Sequence, residues 1–273
     1  MWLDEKLSYQ PDFKSTIEQY YKAKLGILPF NRDIANAKQQ IAKWVKENTN
    51  GLITDIPIKA SKVTQHVENN ANYFDGKWSN PFNPTLTKSL PFYNIEGSQH
   101  NVMTMCNTVE IKNYADDSLQ MAELPYGQGY YSMMVVMPKN SKYLNDIIDK
   151  ADWWGWHNLM IMGETRVTLP RFTIMSEWTD LIDLLPNLGM ASIKDKMFTH
   201  IASNYDLGLD ALTHSVVLKV DENGTKAAVV SSGQGGLIAP GPTPNLSFDH
   251  PFIYAIRENT TGAILFMGKV VKL

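Results

Sequence analysis

Between Val102 and Met137 the chain carries four short segments, 102–105, 108–114, 119–124 and 131–137, rich in β-branched, aromatic and Met residues and broken by Asp116-Asp117 and by Tyr126-Gly127-Gln128-Gly129. Short segments bounded by turn residues are strands, and this close spacing predicts an antiparallel meander. Its last member lies in the most hydrophobic run of the chain, Tyr130-Tyr131-Ser132-Met133-Met134-Val135-Val136-Met137-Pro138, which a core strand explains in full.

Helical patterns precede the meander. From Pro11 the positions Phe13, Ile17, Tyr20, Tyr21 and Leu25 recur at three or four residues, the helix period. From Asn31, the residues Ile34, Ala37, Ile41, Trp44 and Val45 form one stripe, with Lys43, Lys46 and Glu47 off it. Asn50-Gly51 ends that helix as a C-terminal cap. The opening Met1-Trp2-Leu3, followed at once by Asp4-Glu5-Lys6, reads as the tail of a strand whose beginning is missing. After the meander, helical patterns return at 143–150 and 181–188, the latter closed by Gly189, with a strand pattern from Arg166 to Ile174 between them. The last strands are 216–220, 252–257 and 263–271, and Asn259-Thr260-Thr261-Gly262 turns the final two into a hairpin. Helices and antiparallel strands interleave without strict alternation, which predicts an α+β fold and not a doubly wound parallel sheet.

Composition removes several functional classes. With 273 residues, 44% of them hydrophobic, the chain buries about three quarters of its unfolded surface, so global disorder is excluded. A count of 25 basic against 28 acidic residues gives a net charge of −3, too little positive charge to hold a phosphate backbone, and nucleic acid is not expected as a partner. No run reaches the ~18 apolar residues of a spanning helix and the N-terminus lacks the segments of a signal peptide, so no membrane association is expected. The single cysteine, Cys106, forms no internal disulfide, and there is no paired Cys/His spacing for zinc; no metal and no cofactor are expected.

Catalytic chemistry finds no support. Gly233-Gln234-Gly235-Gly236 leads into Ala239-Pro240-Gly241-Pro242, which does not open a helix, so a phosphate cradle is rejected. Cys106, flanked by Met103-Thr104-Met105, reads as a small core residue at a strand end. His214, among Leu212, Val216 and Val217, reads as a core histidine. Neither a G-x-S-x-G elbow nor an H-E-x-x-H helix is present, and no catalytic residue is assigned. The stretch from Ser231 to Asn245 holds four Gly and three Pro in fifteen residues, held between strands; such a loop is expected to protrude and to be either functional or disordered.

Several segments, in order, resemble the serpin family. Asn70-Ala71-Asn72-Tyr73-Phe74-Asp75-Gly76-Lys77-Trp78 with Pro81-Phe82 is similar to the family's strand motif ending in Y-F-x-G-x-W-x-x-P-F. Leu124-Pro125-Tyr126, Ser132-Met133 with Met137-Pro138, Leu169-Pro170-Arg171-Phe172 and the segment 185–190 resemble further family elements. The run from Val220 through Glu222, Gly224, Thr225, Ala227 and Ala228 resembles the E-x-G-T-x-A-A hinge, and Asp249-His250-Pro251-Phe252 and 265–270 close the chain as the family does. The resemblance covers essentially the whole chain.

It implies a single serpin-like domain over 1–273, lacking the N-terminal helices, with an exposed reactive loop at about 225–245, and it leads one to expect exposed apolar surface and weakened stability unless another chain supplies the missing part. It implies an inhibitor of serine proteases, with cysteine proteases as a second class, that acts as a suicide substrate: the loop is cut and its N-terminal arm inserts into the main sheet. The alternative is a non-inhibitory binding or storage module whose loop is cleaved without trapping. The reactive bond is placed at Ile238-Ala239; apolar Leu237 and Ile238 call for an elastase-, chymotrypsin- or subtilisin-like pocket. The hinge is Glu222, Gly224, Thr225, Ala227 and Ala228, and Asn70 with His214 matches a polar pair on the strands that part. The resemblance further implies a monomer working outside the cell or in a periplasm. Two departures stand out: Val229 and Val230 replace alanines of the arm, and Glu68, Asn69 and Asn72 are polar where the family is apolar; half of these face solvent by the period of two and the others need buried partners.

Overall fold

A computed structural model describes residues 1–54, 58–175, 179–190, 192, 195, 198–202, 207–225 and 243–273. In chain order its elements are β1 (Trp2–Asp4), α1 (Pro11–Tyr20), β2 (Gly26–Leu28), α2 (Ile34–Asn48), β3 (His66–Tyr73), β4 (Gly76–Lys77), β5 (Lys88–Tyr93), β6 (Gln99–Ala115), β7 (Leu119–Tyr126), β8 (Tyr131–Pro138), α3 (Leu144–Asp149), α4 (Trp153–Leu159), β9 (Ile161–Pro170), β10 (Phe172–Met175), β11 (Thr179–Asp180), β12 (Ala211–Val220), β13 (Gly224–Thr225), β14 (Asn245–Ser247), β15 (Phe252–Glu258) and β16 (Ile264–Val270). They fall into two compact units, one of Met1–Tyr73 with Met175–Val217, the other of Phe74–Ile174 with Leu218–Leu273.

In the first unit β1 pairs parallel with β2 and antiparallel with β3, and β3 pairs parallel with β12 over seven residues, from Val67↔Ala211 to Tyr73↔Val217. Helix α2 covers this sheet with the stripe read from its sequence: Ala37, Ile41 and Val45 are fully buried among Trp2, Leu28, Phe30, Val67 and Ala211. The helix starts at Ile34 and not at Asn31, because the Asp33 carboxylate accepts the Asn36 N–H at 3.0 Å and fixes the N-cap there. It ends where Asn50 and Gly51 take the left-handed φ values of 51° and 74°. In α1 only Ile17 is buried; Tyr20 and Tyr21, expected on its apolar face, are exposed. The segment 181–188 is two 3₁₀ turns instead of a helix: Pro186 has no N–H to give, and Gly189 at φ 90° closes the second turn.

The second unit holds the meander. Its sheet runs β14-β9-β6-β7-β8-β15-β16, with β5 also on β6. The segments 102–105 and 108–114 are one strand of 17 residues, since Cys106-Asn107 carries no turn signal, and β6 is long enough to pair with β5 at its start and with β7 at its end. The pattern 166–174 divides into β9 and β10 at Arg171, after Pro170. Side chains alternate between two buried faces. Ala122, Leu124, Met133, Val135, Tyr254 and Ile256 enter the main core, while Met121, Met134, Val136 and Ile253 meet Leu144 and Trp153 of α3 and α4. Burial on both faces is why 131–137 reads as unbroken hydrophobicity instead of alternation. Strand β16 carries exposed Leu265 and Met267.

Candidate functional site

Strand β12 ends at Val220 and the chain turns through Asp221-Glu222-Asn223-Gly224. The turn closes on itself: the Asp221 N–H donates to Gly224 O at 3.0 Å, the Gly224 N–H to Asp221 O at 3.1 Å, and the Asp221 carboxylate accepts the Asn223 N–H at 3.0 Å. Its outward carbonyls are also taken. Trp78 donates its backbone N–H to Asn223 O at 3.0 Å and its indole N–H to Asp221 O at 2.9 Å, and Phe82 N–H donates to Glu222 O at 2.8 Å. Trp78 itself is buried and stacked on Tyr126 with ring centroids 4.4 Å apart.

Gly224 is required here. Its φ of 131° is closed to ordinary side chains, and a Cβ would lie 2.1 Å from Gly76 O and 2.7 Å from both Lys77 Cα and Trp78 N. Only a bare backbone lets β13 lie against β4, with Gly224 opposite Lys77 and Thr225 opposite Gly76.

The Glu222 side chain is buried at 4% exposure and clamped. Arg171 Nε donates to its two oxygens at 2.8 and 2.9 Å and Nη2 donates to Oε1 at 2.5 Å, while the Thr87 hydroxyl donates to the same Oε1. Burial works to raise the carboxyl's pKa, but the hydrogen bonds from Arg171 and Thr87 and the Arg171 charge more than offset it, so Glu222 sits below the ordinary carboxylate range. The anchor is an ionised, bidentate pair at the foot of the turn.

In the first unit, Asn70 and His214 are Cα partners across β3 and β12, Asn70 exposed and His214 half-buried, so His214 is no core histidine. Among the described residues no hydrogen bond joins their side chains. The neighbouring pair does bond: Asn69 Nδ2 donates to Thr213 Oγ1 at 2.5 Å. Of the polar residues expected to need partners, Glu68 has the His66 imidazole at 3.2 Å, a contact that holds the carboxyl below its ordinary pKa, and Asn69 has Thr213; Asn69 Oδ1 and Ser215 Oγ are buried without a partner among the described residues.

Glu222 and Gly224, expected from the sequence as hinge residues, lie in this one turn; the sequence assigned no partner to either. Arg171 and Thr87 lie 51 and 135 positions away from Glu222, and no periodicity links them. Ala227, Ala228, Ile238 and Ala239 lie outside the described residues. Cys106 is mid-strand in β6 opposite Thr168 and half-buried, so it is neither a strand end nor a core residue.

A family model described as serpin (serine protease inhibitor) matches residues 1–273. Ovalbumin-related protein Y of Gallus gallus is 30% identical over 280 residues, which are 98% of this chain and 72% of that protein. Neuroserpin of Homo sapiens is 32% identical over 95% of this chain and 67% of its own length. Among solved structures, native protease nexin-1 with heparin superposes with a TM-score of 0.87 at 27% identity, covering 100% of this chain and 75% of that one. Uncleaved ovalbumin gives a TM-score of 0.88 at 25% identity, with the same coverage.

Proposed function

The chain belongs to the serpin family, and from that premise we propose that it inhibits serine proteases as a suicide substrate and is not itself an enzyme. A target protease attacks the loop at about 225–245, between Ile238 and Ala239, and forms an acyl ester. The freed arm then inserts as a strand before the ester is hydrolysed. The observation that carries this reading is the turn 221–224. It reverses the chain after β12 through hydrogen bonds that are complete without any residue of the arm, so an arm leaving Thr225 can run back antiparallel to β12. Parallel strands β3 and β12, parted, each offer a free ladder edge to such an antiparallel newcomer.

The arm's composition supports the step. Thr225-Lys226-Ala227-Ala228-Val229-Val230-Ser231-Ser232 holds no proline and suits a strand, and every proline of the loop lies beyond Ile238. Leu237 and Ile238 direct it toward proteases with an apolar specificity pocket, of elastase, chymotrypsin or subtilisin type. Incubation with such enzymes is expected to give an adduct that survives denaturing electrophoresis. Cleavage elsewhere in the chain, or turnover with no adduct, would sink the proposal.

One feature favours a second reading, a binding or storage module whose loop is merely cut: Val229 and Val230 bring bulk into an arm that has to slide between strands. The two readings separate on one measurement. Insertion makes the cleaved form melt far above the intact one, whereas plain cleavage leaves the melting temperature unchanged.

A further inference from the structure

A second polar cluster in the Phe74–Ile174/Leu218–Leu273 unit has no part in the hinge. On the face of the sheet covered by α3 and α4, Lys112 of β6 and Glu123 of β7 are cross-strand partners, as are Ser132 of β8 and Arg257 of β15. Opposite charges directly across a ladder ordinarily make an ion pair. Here the imidazole of His157, from α4, lies between them: Nδ1 is 2.6 Å from Glu123 Oε2 and Nε2 is 3.0 Å from Lys112 Nζ.

Donor counting fixes the tautomer. An ammonium only donates, so Nε2 accepts from Lys112 and the ring proton sits on Nδ1, pointing at the Glu123 carboxylate. Glu123, 7% exposed, is itself held by the Ser132 hydroxyl at 2.9 Å. The Trp154 ring stacks on His157 with centroids 5.9 Å apart, and the buried Arg257 guanidinium lies 5.4 Å from the Trp154 centroid. A buried carboxylate orienting an imidazole whose second nitrogen meets a nucleophile is the arrangement that activates hydroxyls and thiols. In this chain the group it meets is an amine.

We propose that Lys112 is an activated amine and a site of covalent acylation by acyl phosphates, thioesters or active esters, with His157 as its base and Glu123 as the positioning residue. The ammonium gives one proton through His157 Nε2 to water, which frees the nitrogen lone pair. That pair forms the N–C bond to the acyl carbon, and the carbon–oxygen or carbon–sulfur bond breaks with its electrons leaving on phosphate, alkoxide or thiolate. The second nitrogen proton passes to His157 and on to the leaving group, so the products are the amide and the protonated leaving group. No change of oxidation state is involved.

The chain has 21 lysines, so the proposal is a competition that one experiment reads. The intact protein is treated with less than one equivalent of acetyl phosphate or of a water-soluble active ester of acetate, and acetylation is mapped by peptide mass spectrometry against time. Lys112, though half-buried, is expected to react at least about tenfold faster than Lys43, whose side chain is 74% exposed. His157→Gln and Glu123→Gln are expected to bring Lys112 to the Lys43 rate or below it. A wild-type Lys112 no faster than Lys43 overturns the proposal without any variant. A fast Lys112 whose rate survives His157→Gln in a protein that keeps its wild-type near-ultraviolet spectrum overturns the assigned relay.

Discussion

Replacing Gly224 with Ala tests the proposed hinge most directly, because two costs can be separated. The φ of 131° lies outside the range of L side chains and costs about 1–3 kcal/mol. In addition, the new Cβ would lie 2.1 Å from Gly76 O, more than an ångström inside an ordinary contact, so β13 has to leave β4. That separation puts at risk the Trp78 N–H to Asn223 O and the indole N–H to Asp221 O bonds, each worth about 1 kcal/mol net. The sum is about 3–5 kcal/mol. Gly97 supplies the control, since its φ is 88° and a Cβ there meets nothing within 4 Å, so Gly97→Ala should lose only the conformational part, about 1 kcal/mol. Guanidinium unfolding gives the two differences, and hydrogen exchange at the Trp78 indole reports the hinge locally. Equal destabilisation by the two substitutions, or unchanged protection of the Trp78 indole in Gly224→Ala, would refute the argument from close approach.

The other expectations concern the anchor and the first unit. Because the folded-state pKa of Glu222 is depressed, its stabilisation is present above the unfolded carboxylate value of about 4.3 and is lost as pH falls through the folded value. Glu222→Gln should therefore cost about 2–3 kcal/mol near neutrality and flatten that part of the stability–pH curve, as seen by denaturant midpoints taken from about pH 3 to about pH 7; a curve parallel to wild type would remove Glu222 from the linkage. Ile41→Ala empties a fully buried site under α2 and should cost about 2–5 kcal/mol in thermal unfolding, with a loss below about 1 kcal/mol arguing against the described packing. Asp33→Ala removes the α2 N-cap and should cost about 1 kcal/mol, whereas Asp33→Asn should retain most of it.

How much of this was legible in the sequence depends on how local each feature is. The α2 stripe and the meander were readable because period 3.6 and short turn-bounded runs record burial directly. Strand β6 was read as two pieces because its middle, Cys106-Asn107, is polar enough to interrupt an apolar run without being a turn. Helix α4 was missed: Trp153-Trp154-Gly155-Trp156-His157-Asn158-Leu159 is seven residues, too short for a period to show, and it is started by Asp152 accepting the Gly155 N–H. In the turn after β12, Gly224 declared itself by type, since glycine marks positions of positive φ. The Arg171–Glu222–Thr87 clamp did not, because which distant charge meets a buried carboxylate is decided by strand register, which no single segment contains. The Lys112–His157–Glu123 relay was hidden for the same reason.

The polar residues along the β3–β12 seam bear on the proposed strand opening. A seam of valines between β3 and β12 would gain about 25 cal/mol for each Å² of apolar surface it buried and would resist parting by the same amount. This seam instead carries Asn69, Asn70, Thr213, His214 and Ser215, bonded side chain to side chain at Asn69–Thr213. Asn69 Oδ1 and Ser215 Oγ, buried without partners among the described residues, each cost the closed pair about 1–3 kcal/mol. Parting the strands admits water, or the groups of an entering strand, to those two atoms, and so returns part of the cost of breaking the ladder. Polarity that looks unfavourable for a static sheet therefore lowers the free energy of opening it. That offset acts in the same direction as the reversal after Val220, and against the bulk of Val229 and Val230.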